Sequence, residues 1–316
     1  MLESRLMKVL VTPRSVTRNH GHPSLSALQN AGCEVVFSSP GNSPSEDDLL
    51  ALLPGCVGYL AGIEKISARV LDAAYELRVI SRNGTGVDNV DLEAAERNRI
   101  TVCRAEGANA RGVAELAFAL ILSLVRSIAF SDAALKTRSW TRRDGVEVAN
   151  RTLGLIGCGA IGRHVARFAL GFDMQVVACD PCPDHGFRPG ARFSYATLDE
   201  LLRRSDIISL HCPPTTNATA LVDAEMIERM KEGVYLVNTA RGSLLDQDAA
   251  LAGLSSGRIS GIGVDAFDPE PPADWRLALD PRVIATPHIG GYTHESIQRA
   301  MSIAVDNLLH VLVPER

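Results

Sequence analysis

Apolar positions in this chain fall in blocks of two kinds. Short runs, KVLVT, EVVFSS, VGYLAG, LRVIS and ITVCR, recur over residues 8–104. Between them lie longer stretches, Leu25 to Ala31, Glu46 to Leu53 and Ala68 to Tyr75, in which apolar residues return every three or four positions. A short run that is apolar on both faces suits a parallel strand covered on two sides, and the wider spacing suits a helix laid across it. Residues 8–104 therefore predict a small doubly wound α/β domain. Its loop SRNGTGVDNVD, Ser81 to Asp91, follows a predicted strand where an open parallel sheet has its ligand crevice. The amides of Gly84, Thr85 and Gly86 are placed to cradle a carboxylate, although an ordinary Gly/Asn turn has the same composition.

Next comes Ala108-Asn109-Ala110-Arg111-Gly112, opening the longest apolar stretch, Val113 to Ile128. This predicts a helix too apolar for a wet surface, buried in a core or a subunit interface. It is shorter than a membrane span and carries Arg111, Glu115 and Arg126. Ser131 to Arg151 reads as a polar, irregular arm anchored by Trp140, a candidate subunit contact.

From Thr152 the pattern resumes as strand, tight turn, helix, strand. Leu153, Leu155 and Ile156 lead into Gly157-Cys158-Gly159-Ala160-Ile161-Gly162; Ile161, Val165, Phe168 and Ala169 recur at helical spacing; Val176, Val177 and Ala178 form the second strand, which ends at Asp180. The glycines have separate uses: Gly157 for the sharp turn, Gly159 for close approach of a pyrophosphate, Gly162 for tight helix packing. The helix directs its first amides at the phosphates, and an acid about 20 residues on holds the adenosine ribose. Asp180 lies eighteen positions after Gly162, so the unit predicts a dinucleotide site.

Downstream, PCPDHGFRPG is a predicted loop, Leu198 to Arg204 a helix, and the strands DIISLH, VYLVNTARG, GIGVDAFDPEPP and RVIATPHIGG each end in polar groups: His211-Cys212-Pro213, Asn238 to Arg241, Asp265 with Glu270, and His288. Glu295 to Val313 is the last predicted helix. Ligands of such sheets sit outside the carboxyl ends of the strands. Arg241, Glu270 and His288 carry a recognisable chemistry. Reducing a 2-oxo acid by hydride transfer needs a positive fork for the carboxylate, a proton donor for the developing alkoxide, and a group that keeps that donor protonated. Arginine, histidine and a neighbouring carboxylate supply these. Expected cofactor contacts are Gly157, Gly159, Ala160, Ile161, Gly162, Asp180, Pro181, His211, Cys212, Pro213, Thr239, Ala240, Asp265 and Gly290; expected substrate contacts are Asn83, Gly84, Thr85, Asn109, Arg241 and His288.

Composition narrows the class. At 316 residues, with 46% hydrophobic and 22% charged residues, the chain fits two ordinary globular domains. A net charge of −5 without a basic run argues against nucleic-acid and membrane-surface partners. MLESRLMKVLV runs straight into a strand without a signal-peptide core, so a cytoplasmic location is expected. Seven scattered cysteines fit reduced thiols, and the Cys179/Cys182 pair lacks the second pair of a zinc site, so no metal is expected.

Taken in order, SRNGTGVDNVD, GCGAIGRHVARFALGFDMQVVACD, HCPPT, NTARG, VDAFDPEPP and TPHIGG resemble the D-isomer-specific 2-hydroxyacid dehydrogenases, most closely the phosphoglycerate dehydrogenase branch, over nearly the whole chain. The resemblance implies that Arg241 binds the substrate carboxylate and carbonyl, that His288 is the acid/base and Glu270 its partner, that the amides at Asn83, Gly84 and Thr85 take the carboxylate, and that Asp265 meets the nicotinamide carboxamide. It implies NAD as cofactor and a Rossmann NAD-binding domain, residues 107–291, inserted into a smaller flavodoxin-like substrate domain, residues 1–106 and 292–316. It also implies a homodimer built on the NAD-binding domains. The sequence to Arg316 predicts no C-terminal regulatory domain of the kind that serine-controlled phosphoglycerate dehydrogenases carry. For a second anionic end on the substrate the candidates are Arg82, Arg111 and Arg14; 3-phosphoglycerate is the leading substrate, with hydroxypyruvate or glyoxylate reduction as the alternative. A reading of another class, an NAD-binding corepressor that recruits partners, shares the fold.

Overall fold

The computed structural model describes residues 6–18, 22–214 and 219–313. The chain divides into two compact units, Met1–Asn109 with His294–Arg316, and Ala110–Thr293.

In the first unit the strands β1 (Met7–Val11), β2 (Cys33–Phe37), β3 (Cys56–Ala61), β4 (Val79–Arg82) and β5 (Thr101–Arg104) pair in parallel in the order β2-β1-β3-β4-β5. Helices α1 (Arg14–Thr17), α2 (Leu25–Asn30), α3 (Glu46–Leu52), α4 (Ala68–Ala73) and α5 (Leu92–Arg97) connect them. Helices α1 and α5 are not among the elements expected from the sequence; α1 is a single turn of four residues, too short to show periodicity. A local sign of α5 exists: Asp91 caps it by accepting the Ala94 amide at 2.9 Å.

The second unit opens with α6 (Ala110–Val125) and α7 (Ile128–Lys136). Then come β6 (Thr152–Ile156), α8 (Ala160–Gly171), β7 (Gln175–Cys179), β8 (Phe193–Tyr195), α9 (Leu198–Arg204), β9 (Ile207–Leu210), α10 (Ala224–Glu228), β10 (Val234–Asn238), α11 (Gln247–Ser256), β11 (Ile259–Val264), α12 (Arg276–Leu279) and β12 (Val283–Ala285). The seven strands are parallel in the order β12-β11-β10-β9-β6-β7-β8. Winding reverses between β6 and β9, the place where such sheets open a crevice at their carboxyl ends.

Two expectations need correction here. The apolar helix expected over Val113 to Ile128 starts at Ala110 and ends at Val125, because Ser127 turns left-handed at φ 50° and a new helix begins. That helix, α7, lies in the segment expected to be irregular; it buries no residue, so it leaves no apolar stripe in the sequence. Strand β8 lies between the predicted loop, which ends at Gly190, and the predicted helix from Leu198; three residues give no alternation to detect. Of the two placements open for α6, the core of this unit is the one observed. Ala114, Ala117, Leu120, Ile121 and Leu124 are buried, and glycines on β11 let the helix come close. A Cβ at Gly263 would lie 3.1 Å from Leu120, and one at Gly261 would lie 3.3 Å from Leu124. Truncating either leucine to alanine should cost about 2–5 kcal/mol. Among the described residues no single helix is long and apolar enough to cross a membrane.

The chain then returns to the first unit as α13 (His294–Leu312). Met301, Ala304, Val305, Leu308 and Leu312 form its buried face, packed with Val9, Val11, Leu60 and Val79. Gly58 on β3 makes room, since a Cβ there would stand 3.0 Å from Leu312.

Candidate active site and dinucleotide turn

The turn between β6 and α8 separates its three glycines by function. Gly157 has φ +95°, and an added Cβ would fall within 3 Å of the His211 carbonyl oxygen on the neighbouring strand end. Gly162 is fixed equally tightly, because its Cβ would fall within 3 Å of the Gly157 carbonyl. Gly159 differs: nothing stands within 4 Å of a Cβ there. The fold itself demands the outer two, and the middle one faces open room, as a turn that admits a pyrophosphate must. Ala160 and Ile161 open α8, with Gly159 as its N-cap and no side chain capping its first amides, the kind of helix start that binds phosphate.

Asp180 and Pro181 follow β7. The Asp180 carboxylate accepts the Cys158 amide at 2.7 Å and the Cys182 amide at 2.9 Å, which ties the strand end to the glycine turn and leaves lone pairs for a ribose. His211, Cys212 and Pro213 follow β9. The His211 Nε2 pairs with the Ser209 Oγ at 2.9 Å, and burial pushes the imidazole down to about 4, so it is neutral near pH 7. Its Nδ1 and the Thr239 Oγ1, at the end of β10, are buried with no hydrogen-bond partner among the described residues. Buried polar atoms are ordinarily paired. Two such orphans at the carboxyl ends of β9 and β10, the side of the sheet where a dinucleotide would lie, fit that ligand.

The residues expected to carry the chemistry meet at the ends of β10, β11 and β12. His288 Nδ1 lies 2.9 and 2.8 Å from the two Glu270 oxygens. A carboxylate only accepts, so Nδ1 carries the proton and Nε2 is left for proton exchange. The bond to Glu270 holds the imidazole above the ordinary histidine range; partial burial opposes it, and the Asp265 charge adds to it. Partial burial pushes the Glu270 carboxyl up, but His288 and the Phe267 amide, 3.0 Å from Oε1, outweigh this and leave it below the usual carboxylate range. The Arg241 guanidinium lies close enough to act on both groups, lowering each. Its own loop is fixed by Asn238, which is fully buried, donates to the Arg241 carbonyl at 2.7 Å and accepts the Ala240 amide at 3.1 Å.

His288 has φ +53°, a conformation that costs a non-glycine residue about 1–3 kcal/mol unless its surroundings hold it. Asp265 does the holding. It is 1% exposed and accepts the Thr286 hydroxyl at 2.6 Å and the amides of Ile289 and Gly290, both at 2.8 Å. The residue implied to meet the nicotinamide thus also clamps both sides of the histidine. Thr286 and Ser209 are supporting residues that the motif reading missed, whereas Asn238 is among the expected strand-end polar groups. Thr286 is legible afterwards as the threonine two before the histidine in TPH; Ser209 looks like an ordinary strand residue.

Asn83, Gly84 and Thr85 lie after β4 in the first unit. The Asn83 amide donates to the Ala61 carbonyl at 2.9 Å, and the Thr85 hydroxyl bonds Asn109 Oδ1 at 2.9 Å, joining two expected substrate contacts. Of the cations considered for a second anion, Arg111 is exposed and paired with Glu115 at 2.8 Å. Arg14 is exposed on α1, and Arg82 is buried.

Residues 118–290 match the family model described as D-isomer specific 2-hydroxyacid dehydrogenase, NAD binding domain. A hydroxypyruvate reductase of Thermotoga maritima is 40% identical over 261 residues, covering 80% of this chain and 84% of that one. The human D-3-phosphoglycerate dehydrogenase is 36% identical over 275 residues, covering 86% of this chain but 51% of the relative. The chain thus spans about half the length of the phosphoglycerate dehydrogenases it matches. Among solved structures, a Thermus thermophilus protein superposes with TM-score 0.86 at 36% identity, covering 97% of both chains.

Proposed function

The chain belongs to the D-isomer-specific 2-hydroxyacid dehydrogenases, NAD-dependent oxidoreductases, and on that premise we propose that its substrate is a small unphosphorylated 2-oxo acid of the hydroxypyruvate or glyoxylate kind. The observation that carries this reading is the place of Arg82. Its guanidinium is buried against backbone carbonyls of its own unit, which argues against its serving as a phosphate ligand. With Arg111 paired to Glu115, Arg14 is left of the three candidate cations. The 40% identity to a hydroxypyruvate reductase, along 84% of that protein, supports the same choice.

Gly157, Gly159, Gly162 and Asp180 would hold the dinucleotide, which when bound supplies or accepts the hydride. Arg241 orients the substrate carboxylate with its forked donors. His288 gives the proton at Nε2 to the carbonyl oxygen during reduction and removes it during oxidation, while Glu270 stabilises the imidazolium. Asp180 disfavours a 2′-phosphate by charge repulsion. In the first unit the amides of Gly84 and Thr85 would donate to the carboxylate, the Asn83 amide being held by the Ala61 carbonyl.

A second copy of the chain is the partner that best suits α7, which buries nothing and exposes Ile128 and Leu135, with Trp140 80% exposed just beyond. All seven cysteines are free, in keeping with a cytoplasmic site of action. The second substrate reading, 3-phosphoglycerate, is favoured by the several relatives so named and by Arg14. Steady-state assays with NADH against hydroxypyruvate, glyoxylate and 3-phosphohydroxypyruvate decide: a kcat/KM highest for the phosphorylated acid would overturn the proposal. Failure with every 2-oxo acid tried would favour a binding role.

A further inference from the structure

The first unit buries a cation and a carboxylate beside the Asn83–Gly86 loop: Arg82 is 7% exposed and Glu64 5%. Arg82 Nε donates to the Gly86 carbonyl at 3.0 Å. Its Nη1 donates to the Gly62 carbonyl and, at 3.3 Å, to that of Ala61. Its Nη2 stands 3.4 Å from where a Cβ on Gly84 would be. One guanidinium therefore joins the end of β3 to the far side of the loop and lies directly behind Gly84. Reaching three carbonyls takes the flat, forked donor set of arginine; a lysine ammonium has the charge without the span.

Glu64 fixes the other end of the contact. Its Oε1 accepts the Tyr59 hydroxyl at 2.6 Å, the Gly62 amide at 2.8 Å and the Thr12 hydroxyl, and its carbonyl accepts Asn89 Nδ2 at 2.6 Å. The carbonyls that Arg82 grips are thus set in a rigid, fully bonded strand end. On the loop's other side, the Ala105 amide donates to the carbonyls of Gly84, at 3.0 Å, and of Arg82, at 3.2 Å.

We infer that Arg82 is a positioning residue for the substrate: by holding the Gly86 and strand-end carbonyls from behind Gly84 it sets the shape of the Asn83–Gly86 loop, and so the aim of its amides at a carboxylate, without touching the carboxylate. This rests on the reading that the loop takes the 2-oxo-acid carboxylate. It replaces a direct role for Arg82 on a phosphate, and the two roles differ in outcome. A phosphate ligand serves only the phosphorylated acid; a residue acting through the loop serves every 2-oxo acid alike.

The test compares Arg82→Gln and Arg82→Lys with the wild-type full chain, using NADH with hydroxypyruvate and with 3-phosphohydroxypyruvate. In Arg82→Gln, KM should rise about tenfold or more for both acids in parallel, with kcat and the KM for NADH changed less than about threefold. Arg82→Lys should show the same pattern at a smaller size, and it serves if the glutamine variant does not fold. A merely structural residue would lower Tm without this selective rise in KM. A loss confined to the phosphorylated acid would make Arg82 a phosphate ligand, and unchanged KM in a folded variant would remove it from substrate binding. Either result overturns the assignment while the wild type remains active. A wild type inactive on both acids overturns the loop reading as well.

Discussion

The two glycine-containing loops that follow buried parallel strands, Gly157–Gly162 in one unit and Asn83–Gly86 in the other, are built by opposite means. The first depends on missing side chains: at two of its glycines a single carbon would strike a backbone carbonyl, and at the third it would enter open room. The second depends on a side chain that is present, since Arg82 spans it from behind and Gly84 is neither left-handed nor crowded by backbone. A loop specified by absence is rigid by exclusion and tolerates nothing larger. A loop specified by a buried charge can keep its shape under a small added group but not without that charge.

The comparison is sharpest if the chemistry is independent of both loops. His288→Asn should therefore lower kcat by about a hundred- to ten-thousand-fold while NADH binding, followed by fluorescence, is retained. Asparagine tolerates the left-handed backbone at this position, so the loss would report the proton and not the fold. If NADH binding vanished too, the acid/base and the cofactor turn would have to be treated as one device.

Gly157→Ala is the next largest break. The left-handed backbone costs a side chain about 1–2 kcal/mol and the overpacking about 1–3 kcal/mol, so Tm should fall by several degrees and NADH binding should suffer with it. Gly84→Ala should leave Tm alone, because the new carbon meets the Arg82 side chain at an ordinary 3.4 Å. Equal damage from the two substitutions would erase the distinction between the loops.

Gly159→Ala refines it. Nothing in the protein stands near the added methyl, so a melting curve like that of the wild type, with NADH binding weakened roughly tenfold by lost contact to the ligand, is the expected pair of results. A normal affinity would show that the open room at Gly159 is not where the pyrophosphate passes.

The smallest effect is a shift in pH profile. His288 is held above its ordinary pKa chiefly by Glu270, so its charged form, the proton donor, persists to higher pH and is lost as pH rises through the raised value. The same sign applies to stability: the contribution is complete below the unfolded histidine value and fades as pH climbs through the folded one. Glu270→Gln should move the alkaline limb of kcat/KM for reduction to lower pH. A limb that stays in place would detach Glu270 from the proton donor.

Much of this molecule is legible in its residues because the signals are local. A glycine turn between a buried strand and a helix, with Asp180 at the next strand end, is a run of about thirty residues whose parts constrain one another. Strand ends that stop at Arg241, Asp265 and His288 are legible for the same reason, since a doubly wound sheet puts all such ends on one side. The cation beside the first loop was legible as Arg82 but not in its role. An arginine before a glycine loop looks the same whether it faces a ligand or the carbonyls of Ala61 and Gly62.

Sequence by itself determined the periodicities, hence the two parallel sheets, and the chemical types available at the strand ends. Tertiary structure decided what each polar group is spent on. Asp265 closes on Thr286, Ile289 and Gly290, some twenty residues away, and Arg82 closes on Gly62, twenty residues earlier. Both partnerships are made by strands brought side by side, and no spacing along the chain encodes them. The same holds where helix α6 ends: its break at Ser127 and its fit over Gly261 and Gly263 arise from packing across the sheet, which apolar composition alone does not reveal.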